Sequence, residues 1–146
     1  RGGHADTAQL AIILEFLYGY DTGIRLEKLT ETSRMIADVL RQPLLSSHPV
    51  VGANAFSDVS DAHWTFPDDP WITASLSPEV VGNKRRPIFG ERFGPFGLRI
   101  KAMELGINIP DSKIGAVTQG LREQMRWAKR PLSDSEIKAA IERGLG

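Results

Sequence analysis

The sequence predicts a mainly α-helical fold, on three grounds. Apolar residues recur at helical spacing in five stretches, capping and stop residues bracket them, and the alternating strands that a sheet of its own needs are missing. The order is two helices, an irregular aromatic segment and a three-helix tail.

The first helix is expected over residues 6–17, with Asp6 or Thr7 as its cap. Ala8, Leu10, Ile12, Ile13, Leu14, Phe16 and Leu17 make it apolar on most sides, which implies burial against more than one neighbour. Gly19 and the Asp21-Thr22-Gly23 turn end it. Leu26, Leu29, Ile36, Val39 and Leu40 define a second helix to about Gln42, stopped by Pro43. From Leu44 to Trp71 the texture changes, because Pro49, Gly52, Pro67 and Pro70 let no period survive. Phe56, Trp64, Phe66 and Trp71 are nevertheless too aromatic for a disordered linker, so an ordered excursion packed on something is expected. Ser77-Pro78-Glu79 starts a short helical turn that Gly82 closes. The third helix runs from Phe96 to Leu105, with Gly106 where a left-handed C-terminal residue belongs. Asp111 or Ser112 can cap the fourth, which aligns Ile114, Val117, Leu121 and Met125 and is closed by Pro131. Ser133-Asp134-Ser135-Glu136 is a capping box ahead of Ile137, Ala140 and Ile141.

Composition narrows the function classes. Eighteen basic and eighteen acidic residues cancel, which argues against nucleic acid or an anionic membrane as the main partner. No apolar run approaches the ~20 residues of a membrane span. There is no cysteine, hence no disulfide framework and no thiolate metal site, which is compatible with a reducing cytosol. The opening Arg1-Gly2-Gly3-His4, without an initiator Met or a signal peptide, reads as a cut through a longer protein. Charge is uneven along the chain. Ser57 to Glu79 holds five acidic residues and no Lys or Arg, and Lys84 to Lys101 holds six basic residues against Glu91 alone. These runs are two solvated surfaces, a docking pair, or a basic rim for an anionic substrate.

Two clusters could carry chemistry. In Gly3-His4-Ala5-Asp6, backbone N–H groups could face an anion and His4 or Asp6 could bind a metal; the plainer reading is that Asp6 caps the helix. In Ser60-Asp61-Ala62-His63-Trp64, an imidazole beside a carboxylate could act as a general base; the plainer reading is a surface loop anchored by a buried Trp. Residue types alone favour the plainer reading of each. No metalloprotease, phosphate-loop or nucleophile-elbow spacing is present.

The order of landmarks adds information. Arg1-Gly2-Gly3-His4-Ala5 precedes the apolar helix, followed by Gly19-Tyr20-Asp21-Thr22-Gly23-Ile24 and Pro49-Val50-Val51-Gly52-Ala53-Asn54-Ala55-Phe56. Ser60-Asp61-Ala62-His63, Ser77-Pro78-Glu79-Val80-Val81-Gly82-Asn83-Lys84-Arg85-Arg86, Phe89-Gly90-Glu91-Arg92-Phe93-Gly94 and Glu104-Leu105-Gly106-Ile107 continue the series. Together these resemble the C-terminal portion of the isopropylmalate, homocitrate and citramalate synthase family. These are metal-dependent condensing enzymes of the pyruvate carboxyltransferase/HMG-CoA lyase-like barrel superfamily.

The resemblance implies that residues 1–42 are the last helical elements of a truncated (β/α)8 barrel. Residues 43–94 would be an irregular linker subdomain and residues 95–146 a three-helix subdomain. It implies a cytoplasmic acyltransferase that condenses an acyl-CoA with a 2-oxo acid in a Claisen-type step, using a divalent metal ion (Mg, Mn or Zn). The chain would dimerise and cover the partner's active site rather than catalyse alone. His63 falls on the histidine of the family's Ser-Gly-Ile-His motif, implicated in activating a water or the acyl-CoA. His4 falls where the family usually has an asparagine close to the metal. Asp61-Ala62 replaces Gly-Ile, and Glu91-Arg92-Phe93-Gly94 replaces Lys-His-Ser-Gly. These departures leave a second reading, a non-catalytic dimerisation or interaction module from a degenerate paralogue.

Overall fold

The computed structural model describes residues 3–66, 69, 75–90 and 92–146. The expectations placed on Arg1, Gly2, Pro67, Asp68, Pro70, Trp71 and Glu91 lie outside the described residues. The chain is mainly helical and forms two compact units. The first unit is Arg1–Ser57 with Thr73–Arg86, and the second is Asp58–Ile72 with Pro87–Gly146. Among the described residues, no helix is long and apolar enough to cross a membrane.

In the first unit, α1 (Thr7–Ile12) begins at Asp6, whose carboxylate accepts from Gln9 N–H at 2.8 Å. The expected single helix changes character at Ile13, where a π-helical turn carries on over Ile13–Leu17. Among the described residues it is only partly buried. Ala8 and Ala11 are buried, but Leu10, Ile13, Phe16 and Leu17 are exposed, Leu17 at 76%. A short 3₁₀ turn, Leu26–Lys28, leads into α2 (Leu29–Val39). α2 stops before Pro43 matters: Arg41 takes a positive φ of 50°, and Gln42 N–H bonds Ala37 C=O at 2.9 Å. That is the pairing of a Schellman motif, with Arg where glycine is usual. Met35, Ile36, Val39 and Leu40 of this helix are exposed.

Within the first unit, residues 44–57 of the excursion form a series of turns, with Leu44, Val50 and Phe56 packed against a small core of Ala8, Leu29, Val51 and Val81. Two buried polar side chains stitch that core. Thr30 Oγ1 donates to Val81 C=O at 2.7 Å, and Asn83 Nδ2 donates to Val50 C=O at 3.2 Å and Gly52 C=O at 2.9 Å. Val50 itself has φ 67°, a rare position for a β-branched residue, inside a turn closed by Val51 N–H on Pro49 C=O. The 3₁₀ turn Pro78–Val81 ends at Gly82 as the sequence predicts. Gly82 has φ 64°, and a Cβ there would lie 2.2 Å from Glu27 C=O, so only glycine fits.

The second unit has a closed apolar interior. Its helices are α3 (Pro95–Glu104), α4 (Asp111–Ala128) and α5 (Asp134–Leu145), with α4 packed on both others. Phe93, Leu98, Leu121, Ile137 and Ile141 are almost fully buried among them. Each such side chain contributes about 1.5–3 kcal/mol relative to exposure. Gly106 ends α3 in the left-handed region, φ 70°, with Ile107 N–H on Ala102 C=O. Ser133 and Glu136 form the capping box of α5. α4 differs from expectation: Pro110 holds its N-cap position, and neither Asp111 nor Ser112 caps it. Ser57–Asp58 (β1) and Arg86–Pro87 (β2) pair as a minimal two-stranded sheet.

Candidate functional site

The second unit presents its most chemically specific arrangement in the segment from Asp58 to Trp64. Asp58 leaves the β1 residue pair with its side chain only 15% exposed, and both carboxylate oxygens are used. Oδ1 accepts from Ser60 N–H at 2.9 Å, a local turn that an aspartate two residues before the acceptor N–H commonly makes. Oδ2 meets His63 Nδ1 at 2.5 Å. The Asp58 carbonyl receives Trp64 Nε1–H at 3.4 Å, and Trp64 is buried. His63 rides on the 3₁₀ turn Asp61–Trp64, with its side chain 42% exposed. A carboxylate on Nδ1 selects the tautomer with the proton there, so in the neutral ring the basic lone pair is on Nε2.

Sequence reading set His63 beside a carboxylate two residues away, Asp61. The structure gives that partnership to Asp58 instead, and Asp61 does something else. α3 starts at Gly94, which has no side chain to satisfy the helix's first N–H groups. Asp61 supplies the missing cap from outside the helix, its Oδ1 accepting from Gly97 N–H at 2.9 Å. The chain behind it is also held, because Asp61 N–H donates to Arg92 C=O at 3.3 Å. A Cβ on Gly94 would come 2.4 Å from the Asp61 carboxyl, so the small residue makes room for the cap. The turn carrying His63 is therefore fastened to α3 on one side and anchored by Trp64 on the other. The signal for Asp58 lay in the sequence as Asp58-Val59-Ser60, an aspartate poised to turn back on Ser60, ahead of the histidine.

The first unit places the other candidates apart from any cluster. His4 is exposed. Asp6 caps α1 and also faces His48, Oδ2 to Nε2 at 3.3 Å, while His48 Nδ1 lies 2.9 Å from Pro49 C=O. Among the described residues, no group of three or more His, Asp, Glu or Cys side chains is placed to hold a metal ion. A metal site does not fit these residues alone.

The basic run is partly neutralised where it enters α3. Arg99 pairs with Asp111 at 2.7 Å, and Lys101 Nζ sits 3.0 Å from Glu104 and 2.9 Å from Asp134. Partial burial of Lys101 pulls its pKa down, but the two carboxylates outweigh it and leave the ammonium above its usual range.

A mainly helical chain with a carboxylate-oriented histidine defines a class too broad to name, and comparison with known proteins narrows it. No family model matches the chain. It is 31% identical over its whole length to the (R)-citramalate synthase of Methanocaldococcus jannaschii, and covers 30% of that protein. It is 32% identical, again over its whole length, to a probable 2-isopropylmalate synthase of Archaeoglobus fulgidus, covering 29%. A probable 2-isopropylmalate synthase of Methanosarcina acetivorans matches at 31% with 29% covered. The chain thus spans about 30% of the length of these relatives, in their carboxy-terminal part. It belongs to the citramalate and 2-isopropylmalate synthase family.

Proposed function

We propose that this chain is the carboxy-terminal part of an enzyme that condenses an acyl-CoA with a 2-oxo acid, and that His63 is its acid–base contribution. The observation that carries the reading is the Asp58–His63 pair, 2.5 Å apart on a turn fastened to α3 through Asp61. In such a condensation a proton leaves the carbon next to the thioester carbonyl, that carbon bonds to the oxo carbon as its C=O π bond opens to an alkoxide that takes up a proton, and water then cleaves the thioester to release the carboxylate and the thiol. An imidazole with its Nδ1 proton committed to Asp58 can take or return one of these protons through Nε2. We assign that role to His63, acting on the hydrolytic water or on the acyl-CoA.

Residues 1–42 fit the last helical elements of a barrel. Leu10, Phe16, Leu17, Val39 and Leu40 are exposed in this chain, as a helix surface made to be covered would be. Residues 43–94 and 95–146 are then the linker and helical subdomains, which in a homodimer would cover the partner's active site. His4 is put forward as one donor toward a divalent ion whose other ligands would lie elsewhere in the parent protein. No step above passes through that ion.

The test is His63→Ala in the complete parent enzyme, followed by thiol release from acyl-CoA in the presence of 2-oxo acids. A loss of roughly 10²–10⁴ in kcat is expected for removal of a positioned acid–base group. Wild-type turnover would remove His63 from the mechanism.

A further inference from the structure

Sequence reading looked for a basic rim between Lys84 and Lys101, and part of that charge is spent on Asp111, Glu104 and Asp134. The second unit gathers cations elsewhere. Arg122, Arg126 and Lys129 follow one another at helical spacing to the end of α4, and Arg130 comes next. At 1.5 Å rise per residue, Arg122 to Lys129 is a stripe about 10 Å long. All four residues line one cleft of about 410 Å³, whose apolar lining includes the buried Phe89 and Met125. Among the described residues, no Asp or Glu lines it.

The four cations are not equivalent. Arg130 is held by Glu136 through two hydrogen bonds, at 3.0 and 2.6 Å. Arg122 donates its Nε–H to Phe93 C=O at 2.6 Å, which fixes the guanidinium plane, and among the described residues its terminal amino groups meet no acceptor. Arg126 and Lys129 are exposed and, among the described residues, meet no carboxylate. Like charges gathered around one concave surface repel until an anion joins them, and a cleft with apolar walls focuses their field. A guanidinium fork matches phosphate oxygens in two-point contact, and a stripe of this length suits a chain of two phosphates better than one carboxylate. The volume lies within the range of small-molecule sites.

We infer that this cleft binds a phosphorylated small molecule, with a diphosphate along the α4 cations and a ring or short apolar group over Phe89 and Met125. The inference stands on the cleft alone and does not depend on His63 or on the condensation chemistry. It is tested by calorimetric titration of the chain with pyrophosphate, ADP and coenzyme A, each at low and at physiological salt. ADP and coenzyme A should bind at least about tenfold more tightly than pyrophosphate, and every affinity should fall as salt rises. Tighter binding of coenzyme A than of ADP would identify an acyl carrier as the source of the diphosphate, and equal binding a free nucleotide; either supports the site. The Arg126→Ala/Lys129→Ala variant changes only exposed side chains, and should lose at least about tenfold in ADP affinity with an unchanged melting temperature. Amide shifts of the unaltered chain on adding ADP give a reading independent of any variant, and should centre on residues 88–90 and 122–131. No binding at millimolar concentration, equal affinity for pyrophosphate and ADP, an unaffected double variant, or shifts centred elsewhere would each overturn the assignment.

Discussion

The two units of this chain are held together by different means. Among the described residues, the second buries twelve in one apolar cluster around α3, α4 and α5, whereas the first buries four in its own cluster and secures them with hydrogen bonds from Thr30 and Asn83. The first also exposes Leu17 at 76% and Val39 at 77%. A cluster that closes on itself derives its stability from burial. One left open must rely more on directional bonds to keep its shape.

Truncations separate the two cases most sharply. Leu121→Ala and Ile141→Ala, at fully buried positions of the second unit, should each cost about 2–5 kcal/mol in urea unfolding. Leu17→Ala and Val39→Ala should fall within roughly 0.5 kcal/mol of the unaltered chain, because both side chains are largely exposed. A large loss from Val39→Ala would show that the open face is covered in solution.

The polar side of the comparison is probed by Asn83→Ala. It leaves the carbonyls of Val50 and Gly52 without their buried donor, and should cost about 1–3 kcal/mol, read as faster amide exchange in residues 50–56. Asp61→Ala, which uncaps α3, should cost about 0.5–2 kcal/mol and raise exchange at Gly97, while Asp61→Asn retains an acceptor and most of the stability. Equal losses in the two variants would mean that charge rather than capping matters.

The smallest effect concerns pH. The Arg130 guanidinium and the Ser133 N–H and hydroxyl hold the Glu136 carboxyl down to about 2, from an ordinary 4.5. A group with a depressed folded pKa adds stability that is fully present above its unfolded value and is lost as pH falls toward the folded one. The start of α5 should therefore hold at neutral pH and loosen between about 4.5 and 2, seen as exchange at Glu136 and Ile137. Glu136→Gln should remove that pH dependence.

Much of the second unit was legible because its helices announce their own ends: Gly106 closes α3, and Ser133 with Glu136 opens α5. These are local rules, satisfied within four or five residues. What escaped reading depends on residues distant in sequence. Asp61 was visible as a carboxylate near His63, but its hydrogen bond to Gly97 crosses thirty-six positions, so its work as a cap for α3 could not be read from spacing. The Asp58–His63 pair is local, yet Asp61 stood nearer and drew the assignment. The first helix is only partly covered here for a further reason. Apolar composition reports that a surface is made to be covered, and says nothing about whether the covering partner belongs to the same stretch of chain. The π turn at Ile13–Leu17 has no residue-type marker at all.

The interleaving of the units has a genetic consequence. The chain leaves the first unit after Ser57, re-enters it at Thr73 and leaves again after Arg86. No single cut in the gene can deliver either unit whole, since a breakpoint after codon 57 strands residues 73–86 and one after codon 86 strands residues 58–72. Recombination that shuffles ordinary domains end to end would yield only damaged halves here. Inheritance should therefore keep the turn carrying His63 together with the helices on both sides of it.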